Sequence, residues 1–351
     1  MFQSPFHQLQ EEVIALRETW QEKVQNQLQN SALRGGRSGF WLSSRVHTLR
    51  GWGTRVWIKR DDELGLYGSK YRKIQGLAAA IHDQKVEALV AWGGGRSQFL
   101  LGLLSMGREL DLTMHLLVKE GSPRHPHGPD LLWPLLKGAA TLETVSRSAW
   151  PQVENMARQT VDALTAQGKK VFLVREGGAQ IEALWGSLTL PLDIVQQEKE
   201  LGLRFTKIWV DAGTGLTAQA LILGLGLLQS QIHCEILLCA GSEAEFQKDL
   251  EQRRAELSHD LQRTIPCASF RCHRPLSARS FGATNKAVFQ EIQRTAQESG
   301  VLLDPIYSAK LMMAVRASQP TWSAEEKVLI LHAGGTSSLF GFPNELEALT
   351  F

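Results

Sequence analysis

From residue 55 onward the chain alternates short apolar runs with longer helical patterns, and this alternation leaves few architectures open. Residues 55–59, 88–92, 113–118, 141–144, 171–174, 207–211, 235–238 and 328–331 read as strands. Between them, 71–83, 97–109, 129–137, 150–167, 181–201, 217–228, 244–261, 285–299 and 308–317 carry helical patterns. In the first of these, Ile74, Leu77, Ala78 and Ile81 share one face. Strands that are regularly separated by helices pair in parallel, so the expected fold is α/β, with parallel sheets flanked by helices. Pro191 either kinks the 181–201 helix or divides it in two. A Gln- and Glu-rich helical pattern over 9–28 ends at the Gly-rich stretch 35–39 and is expected to be a docking arm. Segment 122–128, with two prolines and two histidines, is expected to be loop.

Composition excludes several partner classes. Lysines and arginines are scattered among acidic residues and the formal net charge is only +2, so neither nucleic acid nor an anionic membrane is expected as partner. No apolar run approaches the ~20 residues of a membrane helix, and the stretch 220–228 is expected to be a buried helix. The N-terminal residues lack the charged-then-apolar pattern of an export signal. The four cysteines, Cys234, Cys239, Cys267 and Cys272, form no CxxC pair, so free thiols are expected rather than a zinc site. The cytoplasm is the compartment this implies.

In a parallel α/β fold, ligands bind beyond the C-terminal ends of strands, which directs attention to five loops. The first, Gly68-Ser69-Lys70-Tyr71-Arg72-Lys73, places Lys70 in the first turn of a helix, with Ser69 or Gly68 as cap. The positive end of the helix dipole favours the neutral amine there, the form that acts as a nucleophile; a solvated lysine is the alternative. The second, Trp92-Gly93-Gly94-Gly95-Arg96-Ser97-Gln98, permits close backbone approach and opens a helix whose amides suit a carboxylate; a tight turn with Ser97 as an ordinary cap is the other reading. The third, Asp211-Ala212-Gly213-Thr214-Gly215-Leu216-Thr217, combines glycines, hydroxyls and helix amides into an anion cradle suited to a phosphate monoester. It lacks the Lys-Ser/Thr ending of a P-loop and the third glycine of a dinucleotide fingerprint. The fourth, Arg175-Glu176-Gly177-Gly178-Ala179, and the fifth, His332-Ala333-Gly334-Gly335-Thr336-Ser337, each read alone as plain structural turns.

Taken together, the loops resemble the pyridoxal-phosphate enzymes that include 1-aminocyclopropane-1-carboxylate deaminase and D-cysteine desulfhydrase. The matching stretches run in order: Trp57-Ile58-Lys59-Arg60-Asp61-Asp62, Lys70-Tyr71-Arg72-Lys73, the run from Gly93 to Ser97, Glu176-Gly177-Gly178-Ala179, the run from Gly213 to Thr217, Leu303-Asp304-Pro305-Ile306-Tyr307, and His332-Ala333-Gly334-Gly335. The resemblance implies a two-lobed fold of the tryptophan-synthase-β type. A larger cofactor-binding lobe would comprise residues 1–70 and 175–351, with a smaller lobe, 71–174, inserted. It implies pyridoxal 5′-phosphate as cofactor, a small amino acid as substrate and a homodimer. Lys70 then resembles the Schiff-base lysine and proton carrier, Ser97 the active-site serine, and Tyr307 an active-site tyrosine. Lys73 resembles a second lysine near the phosphate, and Gln98 falls where Asn usually stands beside the cofactor's 3′-oxygen. Gly213, Thr214, Gly215, Leu216 and Thr217 resemble the phosphate loop, and Ser308 and Ala333 fall near the pyridine nitrogen.

The departures shape the expected activity. Ser97-Gln98-Phe99 replaces the family's Ser-Asn-His or Ser-Asn-Gln, and Phe281 stands where the deaminases have tyrosine. Ser308 stands where the deaminases have glutamate; a neutral hydroxyl is closer to the desulfhydrases, although those tend to have a hydroxyl where Ala333 stands. A ring nitrogen without a carboxylate partner makes a weaker electron sink, which disfavours opening a cyclopropane more than it disfavours expelling a good β-leaving group. The expectation is therefore β-elimination from a β-substituted amino acid such as D-cysteine, giving pyruvate and ammonia. A degenerate member that binds the cofactor without turnover is the alternative, and a plain nucleotide-binding α/β protein is a third reading.

Overall fold

The structure, a computed structural model, describes residues 42–53, 55–121 and 128–349. In chain order its elements are β1 (Val46–Thr48), β2 (Val56–Lys59), α1 (Lys70–Asp83), β3 (Ala88–Gly94), α2 (Gln98–Glu109), β4 (Thr113–Lys119), α3 (Trp133–Leu136), β5 (Thr141–Val145), α4 (Val153–Ala166), β6 (Val171–Val174), α5 (Ile181–Ser187), α6 (Thr189–Leu201), β7 (Lys207–Ala212), α7 (Leu216–Leu227), β8 (His233–Leu238), α8 (Glu243–Leu261), β9 (Phe270–His273), α9 (Lys286–Ser299), α10 (Ser308–Ser318), β10 (Val328–Leu331) and α11 (Pro343–Glu347). The expected helix over 9–28 and most of the expected loop over 122–128 lie outside the described residues.

The strands form two sheets. One has six strands in the order β1-β2-β10-β7-β8-β9; the other has four, in the order β5-β4-β3-β6. All pairings are parallel except the β1 hairpin onto β2. This is the arrangement the alternation predicts. The chain leaves the large sheet after β2, builds the small sheet, and returns at β7. The returning strand does not pair with β2, because β10 lies between them, with Ile58 and Trp209 both opposite Ile330. The loops after β2, β10 and β7 therefore emerge side by side, and a crevice opens there.

Both sheets are covered by apolar side chains on each face. The largest core runs from Ile74 and Leu77 on α1 through Leu184 and Leu188 to Leu221, Leu225 and Ile236. A second packs Ile58, Trp209 and Ile330 against α9 and α10, and a third packs Val90 and Leu117 against α4. Helix α7 is apolar on every side, and Ala218 through Gly226 are all buried, as expected of its greasy sequence.

Several local outcomes differ from the sequence expectation. The 181–201 region is two helices, divided at Leu188; Pro191 falls in the first turn of α6, where its missing N–H leaves no bond unmade. Segment 129–137 is a 3-10 turn followed by a helix of only four residues. Strands β1 and β9 were not expected. Both are edge strands, and their short sequences, Val-His-Thr and Phe-Arg-Cys-His, acquire strand structure from pairing with β2 and β8.

Two helices approach unusually closely. In α1, a Cβ built on Gly76 would lie 2.1 Å from the Glu182 carbonyl oxygen; in α5, a Cβ on Gly186 would lie 2.0 Å from the Arg72 carbonyl oxygen. The two backbones are in direct contact, and any side chain at either position would force them apart.

Candidate active site

Lys70 is the first residue of α1, and the chain around it is held by two systems of bonds. The first is backbone to backbone. Ser69 N–H donates to the Ala333 carbonyl at 2.9 Å and Asp62 N–H to the His332 carbonyl at 3.0 Å. Gly68 has a φ of +56°, and a Cβ there would lie 2.3 Å from the Ala333 oxygen, so glycine is the residue that lets this turn lie against the loop after β10.

The second system is a buried ionic network. Arg72 makes a two-pronged contact with Asp61, Nε to Oδ2 and Nη2 to Oδ1, both at 2.8 Å. Its Nη2 also donates to Asp193 Oδ2 at 3.0 Å. Asp193 in turn pairs with Lys59, whose Nζ also donates to the Ser44 carbonyl and to Gln197, both at 2.7 Å. Two carboxylates and two cations thus balance in the interior. Burial alone would raise the pKa of Asp61, but Arg72 and the bonds it receives hold it down to about 2. Ser69 Oγ also donates to Asp61, at 2.8 Å; it does not cap α1 with its side chain. The network fixes the residues on both sides of Lys70 and leaves Lys70 itself free of it.

Lys70 faces a pocket beyond the strand ends. Also lining it are Lys73, Ser97, Gly213, Thr214, Gly215, Leu216, Thr217, Tyr307 and Ala333, so most of the residues selected from sequence converge here. Gly177 and Gly334 line it too, which makes the fourth and fifth loops walls of the pocket rather than remote turns. Gln98 and Ser308 are not among its lining residues. Gln98 is buried, its Nε2 donates to Ser337 Oγ at 2.6 Å, and its Oε1 has no hydrogen-bond partner. The Ser308 hydroxyl is engaged by Asp304, donating to Oδ2 and accepting from the backbone N–H, both at 2.7 Å. Phe281 is exposed and lies 6.0 Å, ring to ring, from Tyr307.

The electrostatics of the pocket favour neutral amines. Burial lowers the pKa of Lys70, against the opposing pull of Asp211 and Asp304. Burial and repulsion by Lys70 lower that of Lys73 to about 7. Lys73 Nζ donates to the Gly177 carbonyl at 3.2 Å. Burial, followed by the nearby Asp304, Cys239, Asp211 and Glu176, raises the pKa of the Tyr307 phenol above its ordinary value, so that it keeps its proton at neutral pH.

Sequence reasoning missed Asp211. It is the penultimate residue of β7, lines the same pocket, and has a buried Oδ1 without a hydrogen-bond partner. Burial and then Asp304 push its pKa up to about 7, opposed by Lys70 and Lys73. A carboxylate directly after the apolar run Ile208-Trp209-Val210 of a central strand was the available signal.

The residues fit pyridoxal phosphate by their own chemistry. A buried amine with a depressed proton affinity can join an aldehyde. Helix α7 has no side-chain cap, and it begins just after Gly215, whose φ is +85°; its first N–H groups face the pocket through Leu216 and Thr217, as a phosphate requires. A Cβ on Gly177 would lie 2.6 Å from Thr214, so the cradle is kept open on that side by the absence of a side chain.

A two-sheet α/β chain with a buried lysine of lowered proton affinity and an anion cradle at adjoining strand ends defines a class: enzymes that bind an aldehyde phosphate at a topological switch point. The chain belongs to the pyridoxal-phosphate dependent enzyme family, whose model matches residues 42–334. The cofactor of that family is pyridoxal phosphate. Among relatives, the mitochondrial bifunctional D-cysteine desulfhydrase/1-aminocyclopropane-1-carboxylate deaminase of Arabidopsis thaliana is 25% identical over 312 residues, which cover 85% of this chain and 76% of the relative. The D-cysteine desulfhydrase of Serratia proteamaculans is 25% identical over 299 residues, covering 83% and 89%. A crystal structure of an ACC deaminase homologue superposes with a TM-score of 0.76 at 23% identity, covering 92% of this chain and 99% of that one, and shares the fold. The family match and the superposition bear out the expected pyridoxal-phosphate enzyme family and its α/β fold of parallel sheets flanked by helices.

Proposed function

We propose that this protein is a pyridoxal-phosphate-dependent lyase that eliminates the β-substituent of a small amino acid, with D-cysteine as first candidate. The balanced reaction would consume D-cysteine and one water and release pyruvate, hydrogen sulfide and ammonia. The carrying observation is the convergence of a buried Lys70 of lowered proton affinity, an uncapped helix amide cradle and Tyr307 on one pocket. The named activities of relatives at 25% identity support the reaction class.

When bound, pyridoxal phosphate supplies an electron sink that makes the α-proton of an attached amino acid acidic. Lys70 would hold the cofactor, and Gly213, Thr214, Gly215, Leu216 and Thr217 would hold its phosphate. Lys70 Nζ, whose proton affinity burial lowers, would accept a proton in the pocket in its neutral form. Ser97 Oγ accepts from Leu100 N–H at 3.3 Å, which orients its own hydroxyl hydrogen away from that bond. Tyr307 Oη keeps its proton and can therefore donate it to a departing group. Lys73, Gln98, Ser308 and Ala333 complete our assignment: Lys73 beside the phosphate, Ala333 in the pocket wall by the ring, and Gln98 and Ser308 behind the wall, where Ser337 and Asp304 engage them.

We read the chain as a lobe of 1–70 with 175–351 and an inserted lobe of 71–174, with the pocket excluding water between them. A homodimer and a cytoplasmic location complete the reading, the latter resting on four free cysteines. No described helix is long and apolar enough to cross a membrane.

The test is the absorption spectrum of the purified protein beside Lys70→Ala, followed by pyruvate formation from D- and L-cysteine and other β-substituted amino acids. A visible band that borohydride bleaches, absent from the mutant, with pyruvate from at least one substrate, is the expected result. No pyruvate above the Lys70→Ala background would reject the lyase, and with a band present would leave a cofactor-binding protein without turnover.

A further inference from the structure

Asp211 lines the pocket and Asp304 lies near enough to act on it electrostatically, and the surroundings of the two carboxyls are opposite. Asp304 Oδ1 accepts from the Ile306 and Tyr307 N–H groups, both at 2.8 Å; its Oδ2 accepts from Ser308 N–H at 2.8 Å and from Ser308 Oγ at 2.7 Å. Four donors thus occupy both oxygens of the Asp304 carboxyl. Asp211 Oδ1 is buried with no donor among the described residues. Its charged neighbours are Asp304, which repels a second negative charge, and Lys70 and Lys73, which attract one. Cys239 and Tyr307 also face it, and burial keeps both of them protonated.

The amines mirror this. Among the described residues, Lys70 Nζ donates no hydrogen bond, and Lys73 Nζ donates only to the Gly177 carbonyl. Neither forms an ion pair with Asp211, so no salt bridge locks the proton in place. Two amines and one carboxyl with an unpartnered oxygen line a single pocket, with the donor-saturated Asp304 nearby. Charge balance there is set by where a small number of protons sit, and Asp211 is the carboxyl free to take or release one.

We infer that Asp211 is a positioning residue for the amine pair: its carboxyl shares protons with Lys70 and Lys73 and thereby sets how readily those amines are protonated. It acts through the lysines and need not touch the substrate. The inference deepens the proposed function, on whose assignment of Lys70 it rests. It is separable from it, because lysine protonation can be read without turnover.

The experiment is competitive labelling of the holoenzyme with limiting acetic anhydride between about pH 5 and 10, with modification of Lys73 quantified by peptide mass. Wild type is compared with Asp211→Asn and Asp211→Glu. Removing the anion withdraws support from the protonated amines, so Asp211→Asn should move the half-labelling pH of Lys73 down by about one unit, and Asp211→Glu should restore it. In any molecules lacking cofactor, the Lys70 peptide should shift the same way. If Asp211→Asn does not fold, Asp211→Ser, which is uncharged and smaller, takes its place. An unchanged midpoint in a folded, uncharged variant overturns the inference. A wild type without a cofactor band whose lysine midpoint still shifts in the variant would reject the proposed function and keep this inference; a band with no shift would do the reverse.

Discussion

Gly76→Ala tests whether backbone contact between α1 and α5 holds Lys70 in place. Gly76 sits inside α1 with ordinary helical dihedrals, so helix propensity alone predicts that alanine stabilises the protein by up to about 1 kcal/mol. The structure predicts the opposite. The new methyl would lie 2.1 Å from the Glu182 carbonyl oxygen and 2.7 Å from Gly186 N, both backbone atoms that no rotamer change can move. Ordinary contact begins near 3.4 Å, so the helices must part by more than 1 Å. Overpacking of this kind costs about 1–3 kcal/mol or more where the backbone has to shift. After the propensity gain is subtracted, a net destabilisation of about 2 kcal/mol is expected in urea unfolding. Arg72, whose carbonyl lies against Gly186, moves with α1, and so does Lys70, half a turn away. The cofactor band should weaken along with stability. A variant as stable as wild type, with a normal band, would refute the claim that this crossing sets the position of Lys70.

Other perturbations probe separate parts of the site. Asp193→Ala leaves Arg72 and Lys59 with one carboxylate between them in the interior and should cost about 3–5 kcal/mol, read by chemical denaturation. Asp61 has a folded pKa of about 2 against an ordinary 3.8, so the stability it contributes is present above about pH 4 and lost as pH falls toward 2. Asp61→Asn should flatten the acid limb of the stability–pH curve in that window; an unchanged limb would refute the assignment. Gly177→Ala places a methyl 2.6 Å from Thr214 at a φ of +65° and should weaken cofactor binding at least tenfold, about 1.4 kcal/mol, in equilibrium titration, while Lys70 chemistry persists at saturation.

The sequence made the sheets and the pocket legible for one physical reason. Strand-to-helix loops in parallel sheets carry ligands, and their glycines and helix-opening residues are local signals. Lys70, Ser97 and the 213–217 cradle were found that way. What stayed hidden depends on partners distant in sequence. Gly76 looks like any helical glycine until Glu182 lies against it. Phe270–His273 has no strand pattern of its own and becomes one beside β8. Gln98 was assigned to the pocket from its place in a motif, yet its amide turns to Ser337, a residue 239 positions away. Asp211 was visible as a residue, but its meaning required knowing that Asp304 is saturated with donors while Asp211 Oδ1 has none.

The place of β10 has a consequence for how the protein comes into being. That strand joins β2 to β7 and carries the loop against which the turn before Lys70 is pinned. On the ribosome β2 emerges some 270 residues before β10, an interval of tens of seconds at ordinary synthesis rates. The small sheet, contiguous from β3 to β6, can close during that wait, whereas the large sheet stands in two unjoined pieces. Pairings across such a separation also form slowly, since the loop must close before any contact rewards it. The reactive amine is therefore assembled late: a nascent or interrupted chain carries Lys70 without its pocket, and competence arrives only when the last strand is inserted.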